Sequence, residues 1–257
     1  MTKKAKIGTA VGAASAILIV LGGTVAGLLL SGRAAEPRPL PESFTVTAHT
    51  GCMGTEQNTL ESLETALESG AQTVEFDIRF LDDGTPVLGH NEGDKSTDSP
   101  KVSDALAMVA SYPGITVNLD LKEFTPLDRL QDEVEKAGMM GRVFYTGVDA
   151  DHIEAVRQAT PEIPCFLNVM MNPLTMRSAA YLEGIVRQCL NYGAIGVNCN
   201  YLFNSETLEK LCHENGLLLS VWTVDDEGAM DDQLDLAPDN ITTRHPDVLL
   251  KKAEAHI

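Results

Sequence analysis

Between Thr73 and His90 the chain reads TVEFDIRFLDDGTPVLGH, and its first half alternates strictly. Val74, Phe76, Ile78 and Phe80 fall on one face of an extended segment, and Glu75, Asp77 and Arg79 on the other. Two carboxylates at i and i+2 of a strand project from the same face, about 7 Å apart. Their repulsion calls for a cation or for solvent. Beyond a turn at Gly84 and a short apolar run comes His90. A second segment, Thr116 to Lys122, repeats the pattern, with Val117, Leu119 and Leu121 against Asn118, Asp120 and Lys122. The stretch Thr73 to His90 reads as half of a metal-centred active site, and other segments must supply the rest.

The elements that would position these residues alternate between strand and helix. Phe44–Ala48 reads as a strand ending at His49. Asn58, with Glu61 three residues on, has the spacing of a capping box for a helix striped by Leu60, Leu63 and Leu67 and stopped at Gly70. Further strands are expected at Thr73–Phe80, Thr116–Lys122, Val143–Thr146, Cys165–Val169, Ile195–Cys199, Leu217–Val224 and Ile241–Thr243. Helical segments separate them, and a last helix starts at Pro246. With the Asp82-Asp83-Gly84 hairpin counted as loop, eight strands each lead into a helix, which predicts a (β/α)8 TIM barrel over roughly 215 residues.

Parallel strands buried on both faces normally read as continuous apolar runs. A polar face near the C-terminal ends of two of them is costly unless it lines a wet or metal-filled site, and barrel enzymes carry their sites at those ends. His49, Glu75, Asp77, Asp120, Lys122 and Trp222 all fall there. Taken singly, each has a structural explanation: hydrogen-bonded histidines, ion pairs of Glu75 and Asp77 with Arg79 and Lys122, a core tryptophan. Their convergence on matching strand ends favours the site.

Charge and composition bound the partners. The chain carries a formal charge of −18, and from Ser43 onward 35 acidic residues stand against 14 basic ones. That excess argues against nucleic acid or an anionic membrane surface as a partner held by charge, and it suits solubility and cation binding. Five cysteines without C-x-x-C spacing suggest neither a zinc site nor a disulfide framework, although Cys52 lies near His49.

Residues Ile7–Leu30 hold no charge, follow Lys3, Lys4 and Lys6, and are long enough to cross a bilayer as a helix. Gly32-Arg33-Ala34 is a poor cleavage site, so an uncleaved anchor is preferred to a signal peptide. With three lysines before the span, either reading sends the remainder out of the cytoplasm. The expected organisation is a basic tip and anchor at 1–35, a stiff Pro-rich spacer at 36–42 and the barrel at 43–257.

The succession His49-Thr50-Gly51, Gln57-Asn58-Thr59, Glu75-Phe76-Asp77, Gly84 to His90, Asn118 to Lys122, Trp222-Thr223-Val224 and Thr243-Arg244-His245-Pro246 resembles the glycerophosphodiester phosphodiesterase family. Order and spacing match over nearly all of Ser43 to Val248. Phospholipase-D toxins and phosphoinositide phospholipases share the same barrel plan. The resemblance implies a phosphodiester hydrolase acting on glycerophosphodiesters or related lipid or wall-polymer headgroups. It implies Glu75, Asp77 and Asp120 as ligands of one divalent cation, Ca2+ or Mg2+, and His49 and His90 as an acid/base pair. Lys122 would hold the phosphate and Trp222 would pack against the substrate. Where the family usually has an arginine after the first histidine, Thr50 offers a hydroxyl. Gln57 replaces a glutamate, Asn91 an aspartate, and Arg244 the aspartate of Thr-Asp-x-Pro. Asp120 stands where many members carry Glu. Only 29 residues separate His90 from Asp120, so the family's covering insertion is nearly absent and a more open pocket is expected. The alternatives are a module that binds cation and phosphodiester with impaired turnover, and a lyase resembling the phospholipase-D toxins.

Overall fold

The computed structural model describes residues 39–254 and 256. The apolar run Ile7–Leu30 and the division at residue 35 lie outside the described residues. Among those residues no helix is long and apolar enough to cross a membrane.

Nine strands form one sheet: β1 (Thr45–Ala48), β2 (Thr73–Phe80), β3 (Pro86–Leu88), β4 (Thr116–Leu121), β5 (Val143–Thr146), β6 (Phe166–Val169), β7 (Gly196–Asn200), β8 (Leu218–Trp222) and β9 (Asn240–Thr243). Their order is β5-β4-β2-β1-β9-β8-β7-β6, and β3 is an antiparallel hairpin arm on β2. The pairings among the remaining strands are parallel. A parallel bridge between Tyr145 and Cys165, with Tyr145 N–H donating to Pro164 O at 2.9 Å, joins the two ends of that order. The architecture is the (β/α)8 barrel expected from the alternation of elements, nearly closed.

Among the described residues eight α-helices cover it: α1 (Leu60–Glu68), α2 (Val102–Ala110), α3 (Leu127–Lys136), α4 (Ile153–Ala159), α5 (Ala179–Tyr192), α6 (Glu206–Glu214), α7 (Glu227–Leu236) and α8 (Pro246–Glu254). Each turns an apolar stripe inward. On α3 the stripe is Leu127, Leu130 and Val134, buried while the intervening acidic residues face water. Burying side chains of this size stabilises by about 1.5–3 kcal/mol each. Leu40 and Phe44 also pack on the core, so the domain's contacts begin slightly before the expected boundary at Ser43.

One local detail differs from the sequence reading. Thr59, not Asn58, caps α1, its Oγ1 accepting Ser62 N–H at 3.1 Å. Asn58 takes a left-handed conformation (φ 58°) that frees its side chain for β2. At Gly196, inside β7, a Cβ would overlap Leu218 O and Leu218 C on β8. That glycine sets how closely these two strands approach.

The faces of the strands divide as the alternation predicts. Val74, Phe76 and Ile78 join the apolar core with Val117, Leu119 and Leu121. Register places Glu75 opposite Asn118 and Asp77 opposite Asp120 on neighbouring strands. The opposite face continues polar around the barrel. Thr146 Oγ1 donates to Asn118 at 2.7 Å, Asn198 Nδ2 to Asn168 at 3.0 Å, and Asn240 Nδ2 to Thr47 Oγ1 at 2.7 Å.

Candidate active site

That polar face opens into a cavity of about 590 Å³ at the C-terminal ends of the strands. Its lining includes His49, Glu75, His90, Asp120, Lys122 and Trp222, with the amides of Asn118, Asn168 and Asn198 and the aromatic ring of Phe124. Asp77 lies beside the lining rather than in it, yet Glu75, Asp77 and Asp120 each offer a carboxylate oxygen, all within 4.8 Å of one another.

Glu75 is 4% exposed; its Oε2 accepts the Thr50 N–H at 2.9 Å, while Oε1 is buried with no hydrogen-bond partner. Burial, and then the charges of Asp77 and Asp120, push its carboxyl well above the usual range. Asp77 is equally buried but better served. Burial pushes it up, yet the Lys122 charge and hydrogen bonds from Asn58 and Lys122 outweigh burial and leave it below the usual value. Lys122 Nζ spans the cluster, 3.0 Å from Asp77 Oδ1 and 2.6 Å from Asp120 Oδ2. Burial lowers the affinity of this amine for its proton, and the two aspartates more than reverse that.

Three carboxylates and one ammonium leave two negative charges when all are ionised. An orphaned carboxylate oxygen inside an all-oxygen cluster fits a hard divalent cation, and Glu75, Asp77 and Asp120 are the residues that could hold it.

The two histidines flank this cluster, each with Nδ1 engaged. His49 Nδ1 is 2.7 Å from Thr50 O, and a carbonyl only accepts, so Nδ1 carries the proton and Nε2 is the free nitrogen. Burial lowers the His49 pKa below its ordinary value; the Thr50 carbonyl opposes this and the Arg244 charge reinforces it. His90 Nδ1 is 3.0 Å from Asp77 Oδ2, the same oxygen that accepts Asn58 Nδ2 at 2.8 Å. Arg79 Nε holds the His90 carbonyl at 3.0 Å, and its Nη1 reaches Glu123 at 2.8 Å. The β3 hairpin thus delivers His90 to the carboxylate cluster through backbone and side chain together.

The candidate residues from the sequence therefore meet at one place, with one difference. Thr50 is buried beside the cavity, not in its lining, and its hydroxyl accepts the Asn58 N–H at 2.6 Å. It orders the turn between β1 and α1. Cys52 is fully buried and burial raises its thiol pKa, so its closeness to His49 carries no nucleophile. The other four cysteines are likewise buried and unpaired.

Several contributors were not singled out for the site from sequence. Asn58 grips β2 twice, its Oδ1 accepting the Asp77 N–H at 3.0 Å in addition to the carboxylate contact. Its apparent capping position hid this role. Gly147 admits Asp120: a Cβ there would stand 2.5 Å from Asp120 Oδ1 and would overlap Leu121 O. Phe124 stacks on His152 with centroids 4.0 Å apart, forming an aromatic wall on the cavity. Arg244 also lines the cavity, its Nη1 2.8 Å from Asp225 Oδ2. Only a charged residue at the end of a late strand could have signalled it.

A sequence profile of the glycerophosphoryl diester phosphodiesterase family matches residues 41–139 and 110–248. A glycerophosphodiester phosphodiesterase of Caldanaerobacter subterraneus subsp. tengcongensis is 23% identical over 232 residues, covering 80% of this chain and 96% of its own. Among solved structures, an Oleispira antarctica phosphodiesterase in complex with the product sn-glycerol-3-phosphate superimposes with a TM-score of 0.68 at 18% identity, covering 84% of this chain and 97% of its own. A glycerophosphodiester phosphodiesterase of Parabacteroides distasonis gives 0.65 at 21% identity, covering 83% and 98%. At these identities the structural likeness speaks for the barrel.

Proposed function

The chain belongs to the glycerophosphoryl diester phosphodiesterase family, and on that premise we propose that it is a metal-dependent phosphodiester hydrolase cleaving glycerophosphodiesters or related headgroups by histidine acid/base catalysis. One observation carries the metal-dependent part of the reading. The buried, partnerless Glu75 Oε1 stands in a carboxylate cluster bounded by two histidines whose Nδ1 atoms are both engaged.

A divalent cation on Glu75, Asp77 and Asp120, Ca2+ or Mg2+, would supply charge neutralisation for the phosphoryl oxygens. The chain's own groups do the rest. His49, whose burial favours the neutral ring, takes the proton from the attacking hydroxyl at Nε2. That hydroxyl belongs to water or to the substrate itself. As the bond from phosphorus to the leaving oxygen breaks, His90 gives that oxygen its proton from Nε2. The Asp77 carboxylate at 3.0 Å holds the His90 ring and balances its charge while it is protonated. Lys122 holds the phosphate edge nearest the cluster, Trp222 and Phe124 bound the headgroup, and Thr50 acts by orienting the β1 turn. Residence outside the cytoplasm, with the 7–30 run as anchor, belongs to the same proposal and is tested by protease accessibility in intact cells.

The test is a panel of glycerophosphodiesters incubated with and without divalent cation and read by product mass. Hydrolysis that disappears with chelator and in His49→Ala and His90→Ala is the expected result. Full turnover under chelation would remove the metal role. No turnover on any substrate, with cation present, would leave a binding module instead.

A further inference from the structure

We propose that Arg244, aimed by Asp225, is the residue that grips the charged oxygens of the phosphodiester in this cavity. The inference rests on the hydrolase reading for its substrate, and on the following geometry for its residue. In the sheet, β1 lies between β2 and β9. Ala48 pairs with Thr243, and His49 N–H donates to Thr243 O at 2.9 Å, so Arg244 occupies the strand-end position beside His49. Thr242 on β9 and Arg244, the first residue past the end of that strand, both line the cavity. Around the mouth the sequence of groups is therefore Asp120, then Glu75 and Asp77, then His49, then Arg244. A phosphate placed between the carboxylate cluster and Arg244 lies in front of His49.

Charge assigns the role to Arg244 rather than to its neighbours. Lys122 already shares its charge with Asp77 and Asp120, so it reaches only the phosphate edge nearest the cluster. The Thr50 hydroxyl is turned into the protein. Among the described residues lining the cavity, Arg244 is the permanent cation outside the carboxylate cluster. Asp225 fixes it at two points, Oδ1 accepting the Arg244 backbone N–H and Oδ2 accepting Nη1, each at 2.8 Å. A guanidinium has five N–H donors, and a planar fork anchored at one edge keeps the others for a second anion. Two non-bridging phosphate oxygens match such a fork. Asp225 is a positioning residue: it touches the guanidinium and not the substrate.

The experiment is calorimetric binding of sn-glycerol 3-phosphate, and separately of inorganic phosphate, to the whole protein with divalent cation present. Arg244→Ala is expected to weaken both by roughly 10- to 100-fold, the size of a lost charge-assisted contact. Arg244→Lys should recover part of that loss. Removing the arginine also exposes the Asp225 charge, so the double variant Arg244→Ala/Asp225→Asn separates the two effects. It should stay weak. Recovery to wild-type affinity in the double variant would overturn the proposal, as would unchanged affinity in Arg244→Ala. Asp225→Asn alone should raise KM more than it lowers kcat, and the cation-induced rise in melting temperature should persist in all four variants. Loss of that rise together with phosphate affinity would mark a collapsed site and count against a specific role for Arg244. Because phosphate binding needs no turnover, absence of hydrolysis across the substrate panel would defeat the hydrolase reading and leave this one standing.

Discussion

Replacing Glu75 by glutamine should stabilise the protein in chelator and deprive it of stabilisation by a divalent cation. Without a cation, Glu75 faces Asp77 and Asp120 with ligand oxygens within 4.8 Å, an interaction of about 3.5 kcal/mol per pair at an effective dielectric near 20. Lys122 offsets roughly one of the two repulsions. The remaining penalty is bounded by protonation, because a carboxyl of unfolded pKa about 4.3 escapes it at pH 7 by binding a proton at no more than about 3.7 kcal/mol. The sign follows from the raised pKa. The contribution of Glu75 to wild-type stability is fullest below about pH 4.3 and declines as pH rises towards its folded pKa, so at neutral pH the penalty is in force. A glutamine keeps the acceptor for Thr50 N–H and turns its amide donors towards the aspartates.

Chelated Glu75→Gln should therefore melt higher by up to about 3 kcal/mol, or roughly 6–12 °C for a domain of this size. Wild type should gain about 2.7 kcal/mol from a cation at a hundred times its Kd, whereas the variant, short of one anionic ligand, should gain far less. Differential scanning calorimetry at pH 7, in chelator and then in millimolar Ca2+ or Mg2+, reads both numbers. A variant that melts below wild type in chelator, or that responds as strongly to cation, would refute the account of Glu75 as a carboxylate held ready for metal.

Other perturbations address the supports of the site. Gly147→Ala, at φ +77° with a Cβ 2.5 Å from Asp120 Oδ1, should lose about 2–4 kcal/mol and weaken cation affinity, as titration calorimetry would show. An undiminished cation affinity would mean that Asp120 does not depend on that gap. Glu123→Gln should cost about 1–3 kcal/mol at pH 7, since Glu123 accepts from Arg79, Lys95 and the Phe80 N–H. Burial raises the Glu123 pKa, but Lys95, the Phe80 N–H and Arg79 leave it lowered, so its contribution holds above about pH 4.3 and fades as pH falls further. The gap between wild type and variant in urea melts should therefore close towards pH 3, and a constant gap would exclude the charge as its source. Phosphate should bind more tightly with cation present, and cation more tightly with phosphate by the same factor. Calorimetric titrations in both orders check the equality.

The barrel was legible because alternation and helix periodicity are local, and the same is true of the carboxylate cluster. Glu75 and Asp77 sit on a strand whose apolar partners name its other face, and Asp120 on β4 repeats the pattern in register. What was not legible depends on closure. Arg244 gains its meaning from β9 lying beside β1, a neighbour far away in sequence. Asn58 has the composition and position of a helix cap, and only its left-handed backbone diverts it to Asp77. Thr50 reads as a cavity hydroxyl because it follows His49, yet it lies in the turn after β1, where its hydroxyl accepts the Asn58 N–H. Gly147 has no sequence signal at all; its role is the absence of a side chain next to Asp120.

The two halves of the cavity are charged in opposite senses of completeness. On the β2 and β4 side, three carboxylates exceed their one ammonium, and Glu75 Oε1 has no donor. On the β9 side, Arg244 is already balanced by Asp225. On the proposed reading an anionic substrate would meet a net negative pocket until a cation filled the first half, and the Arg244 fork would then add to a field that favours phosphate. The cluster would thus couple cation binding to substrate binding as well as stabilise developing charge.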